Sequence, residues 1–155
     1  MAIINGTIFN DDGNTFLPLL GTGLADDMNA NWSLGNDLMM GFAGNDIYRI
    51  NSILDDIREI AGQGTDTVIT RNVSTTLKTN FENLTLDNTA GFLTALNGTG
   101  NSAANVITGN NNANILNGLS GNDTISAGGG NDTIIGGAGK DTMTDGGGSD
   151  TYDFN

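Results

Sequence analysis

Acidic residues recur every nine positions near the C-terminal end of the sequence. The series consists of Asp123, Asp132, Asp141 and Asp150. An apolar residue stands two places after each acid, and the same register extends back through Asn114 and Asn105. Carboxylates are ligands of the kind that Ca²⁺ prefers, since this ion takes about six to eight oxygens at about 2.3–2.6 Å. Acids at one fixed place of a short repeat therefore indicate a row of cation sites.

The residues around each acid predict how it is positioned. The stretch GGAGKDTMT at 136–144 reads as a turn, an acid and a short strand. Glycine allows the left-handed backbone of a tight turn, and the alternation Thr-Met-Thr is typical of a strand with one buried face. The same order repeats with a period of nine residues, and a short fixed period indicates a solenoid.

Two strands for each turn of such a solenoid make one full turn two nonapeptides long. Asp123 would then stack on Asp141, and Asp132 on Asp150 at the opposite edge, about 4.8 Å apart. Like charges this close repel, whereas a Ca²⁺ ion between them would reverse the sign. Two carboxylates are too few ligands, so we expect carbonyl groups of the glycine turns to supply the rest. The alternative is a metal-free β-helix in which Gly and Asp only make tight turns.

The first half of the chain carries further copies of the pattern. GFAGNDIYR at 41–49 is a good single copy, and Asp37 precedes its acid, Asp46, by nine residues. GQGTDTVIT at 62–70 restores the motif with Asp66. RINSILDDIREI at 49–60 resembles a helix by residue type, but Asp55 keeps the nine-residue register. We therefore predict a turn and a strand without glycines there.

The remaining segments are less regular. GTGLADD at 21–27 offers Asp26 as a further candidate ligand, and the related GTIFNDD precedes it by fifteen residues. The stretch 71–99 breaks the pattern, although Leu84-Thr85-Leu86 alternates as a strand. We expect a thicker, irregular part of the same solenoid, the alternative being a boundary between two small β-rolls. With no Pro- or Ser-rich linker at this point, we predict one domain over 1–155, with repeat blocks at 1–70 and 100–155.

Asn105 and Asn114 stand where later repeats have acids. Asparagine can stack between turns without charge. We expect these two turns to bind calcium weakly or not at all.

Composition limits the function classes. The chain has 155 residues and a formal net charge of −13, from 18 acids against 5 bases. This charge disfavours nucleic acid and anionic membranes as partners and favours cations. The absence of His and Cys excludes Ser-His-Asp and Cys-His catalysis, zinc held by His or Cys, and disulfides. We find neither a signal peptide of the Sec type nor a membrane-spanning stretch in the sequence.

The nonapeptide resembles the G-G-x-G-x-D-x-U-x repeat of the RTX family. The resemblance is strong over 118–155 and 35–49 and clear at 61–69, and 82–117 is similar to segments between RTX blocks. It implies an all-β fold, a right-handed parallel β-roll, with several Ca²⁺ ions between successive glycine turns. It also implies a bacterial protein exported by type I secretion, which leaves the cell unfolded and folds outside in the presence of calcium.

The resemblance also implies the ligands. Nine acids match the carboxylate position, and glycines of three turns would direct carbonyl groups at the ions. These residues are Asp123, Asp132, Asp141, Asp150, Asp37, Asp46, Asp66, Asp26 and Asp55, with Gly128, Gly130, Gly137, Gly139, Gly146 and Gly148. Leu119 and Ala127 depart from the pattern by replacing repeat glycines. The family's secretion signal usually lies after the repeats, so either the short end DTYDFN suffices or the chain is part of a larger protein.

We do not expect an enzyme, because repeats fill the chain and each prominent carboxylate pair fits a cation site. The leading hypothesis is a secreted, calcium-binding structural protein that stacks head-to-tail into an extracellular matrix or filament, with calcium bridging copies. The alternative is a calcium-stabilised spacer or secretion module of a larger adhesin or enzyme. A third hypothesis is a ligand or ice face made of Thr124, Thr133, Thr142 and Thr151.

Overall fold

The computed structural model describes residues 2–4, 19–29, 36–87 and 96–154. Within these ranges, all of the regular secondary structure is β-strand. The sixteen strands are β1 (Ala2–Ile4), β2 (Leu19–Leu20), β3 (Asp26–Asn29), β4 (Leu38–Met40), β5 (Ile47–Ile50), β6 (Asp56–Arg58), β7 (Thr67–Thr70), β8 (Thr75–Thr76), β9 (Asn83–Leu86), β10 (Asn97–Thr99), β11 (Val106–Thr108), β12 (Ile115–Asn117), β13 (Thr124–Gly129), β14 (Thr133–Ile135), β15 (Thr142–Gly147) and β16 (Thr151–Asp153). The described part contains no helix that is long and apolar enough to cross a membrane.

The strands pair in parallel and form three sheets. One sheet has eight strands in the order β1-β3-β5-β7-β9-β11-β13-β15. The strands between them form a three-stranded sheet, β2-β4-β6, and a five-stranded sheet, β8-β10-β12-β14-β16. Successive strands thus alternate between two faces while every pairing is parallel, which is the arrangement of a β-solenoid. The predicted parallel β-roll is confirmed.

Strands β3 to β7, β9 and β11 to β14 each bury at least one side chain, as expected from the alternation of polar and apolar residues, whereas β8, β15 and β16 contain no buried residue. The core is a narrow stack of these buried residues, and most of them are fully buried. They include Met28, Tyr48, Val68, Leu84, Ile107 and Ile125 from the eight-stranded sheet, and Met39, Ile57, Leu116 and Ile134 from the two shorter sheets. A core this thin leaves much of the stabilisation to the turns at the edges.

The register between neighbouring strands varies along the solenoid. Thr124 pairs with Thr142 and Thr133 with Thr151, so the predicted turn of eighteen residues holds at this end. Leu38 also pairs with Asp56, eighteen residues later. Elsewhere on the eight-stranded sheet, Ile47 pairs with Thr67, Thr67 with Asn83, and Asn83 with Val106. Turns of twenty, sixteen and twenty-three residues are therefore accommodated where loops lengthen or shorten.

The helix-like stretch at 49–60 is a turn followed by a strand, as predicted. Strand β5 ends at Ile50, the N–H of Asp55 donates to the carbonyl of Ser52 over 3.2 Å, and β6 follows directly. Leu54 lies in this turn and is exposed, whereas Ile57 is buried. Because the exposed Leu54 and the buried Ile57 lie three residues apart, the residue types of this stretch resemble those of an amphipathic helix.

The irregular segment belongs to the same solenoid. Strand β9 pairs with β7 on one side and β11 on the other, so the eight-stranded sheet runs through this part of the chain. Phe81 is buried and packs edge-on against Tyr48, with ring centroids 5.0 Å apart. This aromatic pair connects the irregular segment to the core of the first repeat block. Residues 88–95 of this segment lie outside the described residues, and the single domain over 1–155 stays a prediction.

Candidate metal centres

Carboxylates form a row, here called a ladder, at the points where strands β3, β5, β7 and β9 of the eight-stranded sheet begin. The N–H of Asp26 donates to Oδ1 of Asp46 over 2.8 Å, and the N–H of Asp46 donates to Oδ1 of Asp66 over 2.8 Å. The N–H of Asp66 in turn donates to Oε2 of Glu82 over 2.8 Å. Each acid therefore accepts a hydrogen bond from the acid one turn earlier, and the carboxylates are held in a row.

The same relationship recurs in the C-terminal block. On the eight-stranded sheet, the N–H of Asp123 donates to Oδ1 of Asp141 over 3.0 Å. At the opposite edge, the N–H of Asp132 donates to Oδ1 of Asp150 over 2.8 Å. The ladder geometry thus places these four acids in the two stacked pairs that the sequence predicts.

A fourth acid ladder lies beside the three-stranded sheet, where the N–H of Asp37 donates to Oδ1 of Asp55 over 3.1 Å. With this pair, all nine acids singled out in the sequence lie in ladders at strand entrances. Seven of them are buried, namely Asp26, Asp37, Asp46, Asp55, Asp66, Asp123 and Asp132. Asp141 and Asp150, from the last turn described, are half-buried.

Several buried carboxylate oxygens have no hydrogen-bond partner. These atoms are Oδ1 of Asp26, Oδ1 and Oδ2 of Asp37, and Oδ2 of Asp46, Asp123 and Asp132. An ionised carboxylate is stable in such a place only if it is paired or coordinates a cation. The ladders therefore leave at least one buried oxygen without a partner on five of the nine acids, and a bound cation would satisfy these oxygens.

Burial and the neighbouring carboxylates weaken the acidity of these groups. Burial, followed by the charge of Asp55, raises the pKa of Asp37 to about 6. Burial raises the pKa of Asp66 to about 6, with smaller contributions from the charges of Asp46 and Glu82. Burial is also the main cause that raises the pKa of Asp123 and of Asp132. Without a cation, ionised carboxylates in these ladders are thus unfavourable.

The glycine turns supply main-chain oxygens beside the ladders. All six glycines singled out in the sequence have positive φ values, from 90° at Gly137 to 143° at Gly139. A Cβ placed on Gly118 would collide with Oδ2 of Asp123 and with the carbonyl oxygen of Gly136 one turn later. Carboxylate and carbonyl oxygens thus converge on a space that only glycine leaves open. The residues present fit Ca²⁺, which is bound by oxygens of both kinds.

A family model for the RTX calcium-binding nonapeptide repeat matches the chain at 33–49, 99–134 and 126–155, in four copies. The chain carries the calcium-binding repeat of the RTX family. No curated protein and no solved structure matches it. The RTX match covers the acid pair Asp123–Asp141 and the pair Asp132–Asp150, together with Asp37 and Asp46.

Two RTX turns satisfy their side chains without a cation. Nδ2 of Asn105 donates to the carbonyl oxygens of Phe81 and Glu82, each over 3.2 Å. Nδ2 of Asn114 donates to the carbonyl oxygen of Leu96 over 2.7 Å. The amide group therefore binds the oxygens of the preceding turn, and weak or absent calcium binding at these two turns stays a prediction.

Sequence reasoning missed three residues at the ladders, which are Glu59, Glu82 and Tyr48. Glu82 follows Asp66 by sixteen residues, so neither the nine- nor the eighteen-residue spacing points to it. Tyr48 was recognised only as a strand residue, yet its hydroxyl accepts the N–H of Gly41 over 2.6 Å and contacts Oε1 of Glu59. Glu59 could have been found, since it follows Gly41 by the same eighteen residues that separate Met39 from its partner Ile57.

Proposed function

We propose that this RTX protein is a secreted structural protein whose chain folds when it binds Ca²⁺. The observation that carries the proposal is the set of buried carboxylate oxygens that no group of the described protein satisfies. Two like charges about 5 Å apart repel by about 3 kcal/mol at an effective dielectric constant of about 20. Several such pairs are comparable with the whole stability of a small domain, which is about 5–15 kcal/mol. The metal-free fold is therefore disfavoured, and Ca²⁺ reverses the balance.

The ligands are brought together only by the fold. In the unfolded chain Asp123 and Asp141 are separated by eighteen residues, whereas in the solenoid a hydrogen bond joins them. Binding free energy at such a site is consequently folding free energy. We expect an expanded acidic chain without calcium and a compact parallel β-solenoid with it.

RTX repeats are typical of bacterial proteins exported by type I secretion. A chain that folds only with calcium suits this route, because it stays unfolded in the calcium-poor cytosol and folds in extracellular calcium. The proposed location is therefore outside the cell. Secretion of the full-length protein by a strain with and without a type I exporter would test this step.

We further propose that copies stack end to end. Strands β15 and β16 each pair on one side only within the described residues, so main-chain donors and acceptors remain available along their other side. Asp141 and Asp150 lie on this last turn, half-buried, and Phe154 beside them is 80% exposed. A second copy that pairs here would supply turn carbonyls and cover Phe154. A contact between unlike ends of this kind propagates into filaments.

Sedimentation velocity across a calcium titration tests the proposal. The titration runs from EDTA to about 10 mM Ca²⁺, which includes the affinities of extracellular calcium modules. We expect a slowly sedimenting, expanded monomer in EDTA and large assemblies with calcium. A compact monomer at saturating calcium would contradict the assembly step and favour the alternative, an RTX spacer or secretion module of a larger adhesin or enzyme. An unchanged expanded monomer would contradict calcium-driven folding itself.

We propose no catalytic activity for this chain. In the acid ladders that could in principle act as paired carboxylates, the carboxylate accepts a main-chain N–H of the acid one turn earlier, as Asp150 does from Asp132. Such pairs are explained by the cation sites. Turnover of ester, peptide or glycan substrates by the purified chain would contradict this proposal.

A further inference from the structure

Three carboxylates converge between two turns in the first half of the solenoid. One oxygen from each of Asp46, Glu59 and Asp66 lies within 4.8 Å of the others. Asp46 and Asp66 are buried, at 1% and 2% exposure, and Glu59 is half-buried. Oδ2 of Asp46 has no hydrogen-bond partner and points into this cluster. The cluster therefore contains a buried carboxylate oxygen that has no hydrogen-bond partner.

The position of Glu59 follows from the strand register. Met40 pairs with Arg58, so the next residues, Gly41 and Glu59, begin the two stacked turns. In the C-terminal block Asn117 pairs with Ile135, and the equivalent residues are Gly118 and Gly136. Glu59 thus occupies the place of the first glycine in a repeat.

The oxygens around these two positions differ in kind. A Cβ on Gly118 would meet Oδ2 of Asp123 and the carbonyl oxygen of Gly136. A Cβ on Gly41 would instead meet Oδ2 of Asp46, the hydroxyl of Tyr48 and Oε1 of Glu59. At the Gly41 turn, a side-chain carboxylate therefore stands where the repeat uses a main-chain carbonyl.

Tyr48 holds the carboxylate of Glu59 in this place. Its ring is fully buried in the core and rests against Phe81, where most other strands have an aliphatic residue. Its hydroxyl accepts the N–H of Gly41 and donates to Oε1 of Glu59. The aromatic side chain is long enough to extend from the core to the turn, which an aliphatic residue could not do.

Nearby basic side chains are engaged elsewhere. Nη2 of Arg58 lies 2.5 Å from Oδ2 of Asp56, and Nζ of Lys78 lies 2.7 Å from Oδ1 of the same residue. These pairs lie on the outer face of β6, since Asp56 and Arg58 flank the buried Ile57. They leave the negative charge of the inner cluster uncompensated.

We propose that Asp46, Glu59 and Asp66 form a three-carboxylate site for a hard divalent or trivalent cation, which fills before the repeat sites of the C-terminal block. The inference rests on the calcium-binding function proposed above and adds to it a site of different composition and an order of filling. A repeat site brings two stacked carboxylates, and here a third replaces a neutral carbonyl. The affinity of calcium sites increases with the number of charged ligands, so this site binds more tightly.

Luminescence of Tb³⁺ gives a direct test. This hard trivalent ion has a size close to that of Ca²⁺ and emits when a nearby aromatic ring is excited. The chain has one Trp, Trp32, and two Tyr, Tyr48 and Tyr152. Tyr152 interacts with Asp145, so its ring would also sensitise an ion bound in the last turn. A background that carries Trp32→Phe and Tyr152→Phe therefore leaves Tyr48 as the sensitising residue. The probe is Tb³⁺ added to the full chain in this background, followed by displacement with Ca²⁺.

We expect the emission sensitised by Tyr48 to appear with the first equivalent of Tb³⁺, before β-structure forms in the C-terminal block. In Glu59→Gln this first phase shifts to about tenfold higher Tb³⁺ concentration or disappears, while the later sites keep their midpoints. Asp56→Asn is the matched control, since it removes one carboxylate from the outer face of β6, and its titration should match that of the parent background. Calcium should displace the first Tb³⁺ last.

The possible failures are distinguishable. Equal titrations for Glu59→Gln and the parent, with several ions still bound, would overturn the three-carboxylate site and leave calcium-driven folding intact. A chain that binds neither Tb³⁺ nor Ca²⁺ would overturn both proposals. If Glu59→Gln does not fold with calcium, the order of filling in the parent decides, because emission from Tyr48 that appears only with the last equivalents contradicts the inference. Glu59→Gly, which restores the repeat residue, provides a second variant with the same expected shift.

Discussion

The N–H of Asp123 donates to Oδ1 of Asp141, one turn of the solenoid later, over 3.0 Å. This bond fixes two groups of like charge side by side and uses only one oxygen of the acceptor. Oδ2 of Asp123 is left buried without a partner, against the space that Gly118 leaves open. Asp123 and Asp141 therefore create both the charge repulsion and the cation site that would relieve it.

Asp123→Asn tests this relationship. The substitution removes one charge from the stacked pair and keeps the shape of the side chain. We expect the calcium concentration for half-maximal folding to rise about tenfold, because fewer charged ligands remain. Far-UV circular dichroism during a calcium titration measures the change. Asp56→Asn, at a half-buried acid on the outer face of β6, is the control and should leave the midpoint unchanged, whereas equal shifts for both variants would show that overall charge alone matters.

Asn105→Asp should convert a calcium-independent turn into a calcium-dependent one. It removes the amide donor that binds the carbonyls of Phe81 and Glu82 and buries a carboxylate in its place. At the lowest calcium concentration at which the parent is folded, we expect a loss of about 1–3 kcal/mol in the free energy of unfolding, the cost of leaving buried polar groups unsatisfied. The stability should then increase more steeply with calcium concentration, since one more ion binds on folding.

Chemical denaturation at a series of calcium concentrations measures both effects of Asn105→Asp. Asn122→Asp is the matched control, because Asn122 is exposed on the same edge and its Oδ1 accepts the N–H of Lys140, which a carboxylate can also do. A denaturation profile for Asn105→Asp that matches this control at every calcium concentration would contradict the role assigned to the amide.

Acid should favour the metal-free fold. Burial is the main cause that raises the pKa of Asp37 and Asp66 to about 6, and burial with the charge of Asp66 raises that of Glu59 to about 7. Each group binds its proton more tightly in the fold than in the unfolded chain. The stabilisation is thus fully present below about pH 4, the range of unperturbed carboxyl groups, and is lost as the pH rises through about 6 to 7.

Circular dichroism in EDTA between pH 8 and pH 5 measures this dependence. We expect β-structure to increase as the pH falls. With calcium the dependence should reverse, since protons compete with the metal for the same carboxylates and raise the concentration needed for folding. A metal-free chain that loses β-structure between pH 7 and pH 5 would contradict the assigned burial of these acids.

Gly148→Ala and Gly147→Ala form a matched pair in the last turn. Gly148 has a φ of 138°, and a Cβ there would collide with the carbonyl oxygen of Gly130 one turn earlier. A Cβ on Gly147 would meet nothing within 4 Å. We expect Gly148→Ala to lower the free energy of unfolding at saturating calcium by about 1–3 kcal/mol, the usual cost of backbone strain. Gly147→Ala should stay close to the parent, and equal losses would indicate that the turns do not stack this closely.

The sequence predicts the ladders well where the repeat length is constant. Asp132 and Asp150 stack as the eighteen-residue spacing requires, because no residue is inserted or deleted between them. Asp46 and Asp66 are recognised as ligands by their local motifs, but their stacking twenty residues apart depends on loop length. Periodicity cannot show how a turn of twenty residues keeps its strands in register, since the extra residues lie in the loop and not in the repeat.

Residues outside the motif were harder to find. Glu82 enters a ladder after a turn of only sixteen residues, and Glu59 occupies a glycine position in a segment without a glycine motif. The role of the Tyr48 hydroxyl depends on the depth of its ring in the core and on Gly41 opposite it. Such contacts arise from three-dimensional packing between distant segments, which a linear pattern does not contain.

The three sheets differ in continuity, and this difference has a mechanical consequence. The eight-stranded sheet runs from β1 to β15 through unbroken pairings, whereas the strands opposite it are divided between β6 and β8 into two separate sheets. A pulling force along the solenoid axis would load every hydrogen-bonded ladder of the continuous face in series. The divided face would carry no main-chain tension at the break, so under load we expect the protein to bend and open there first, while both calcium-loaded blocks remain intact.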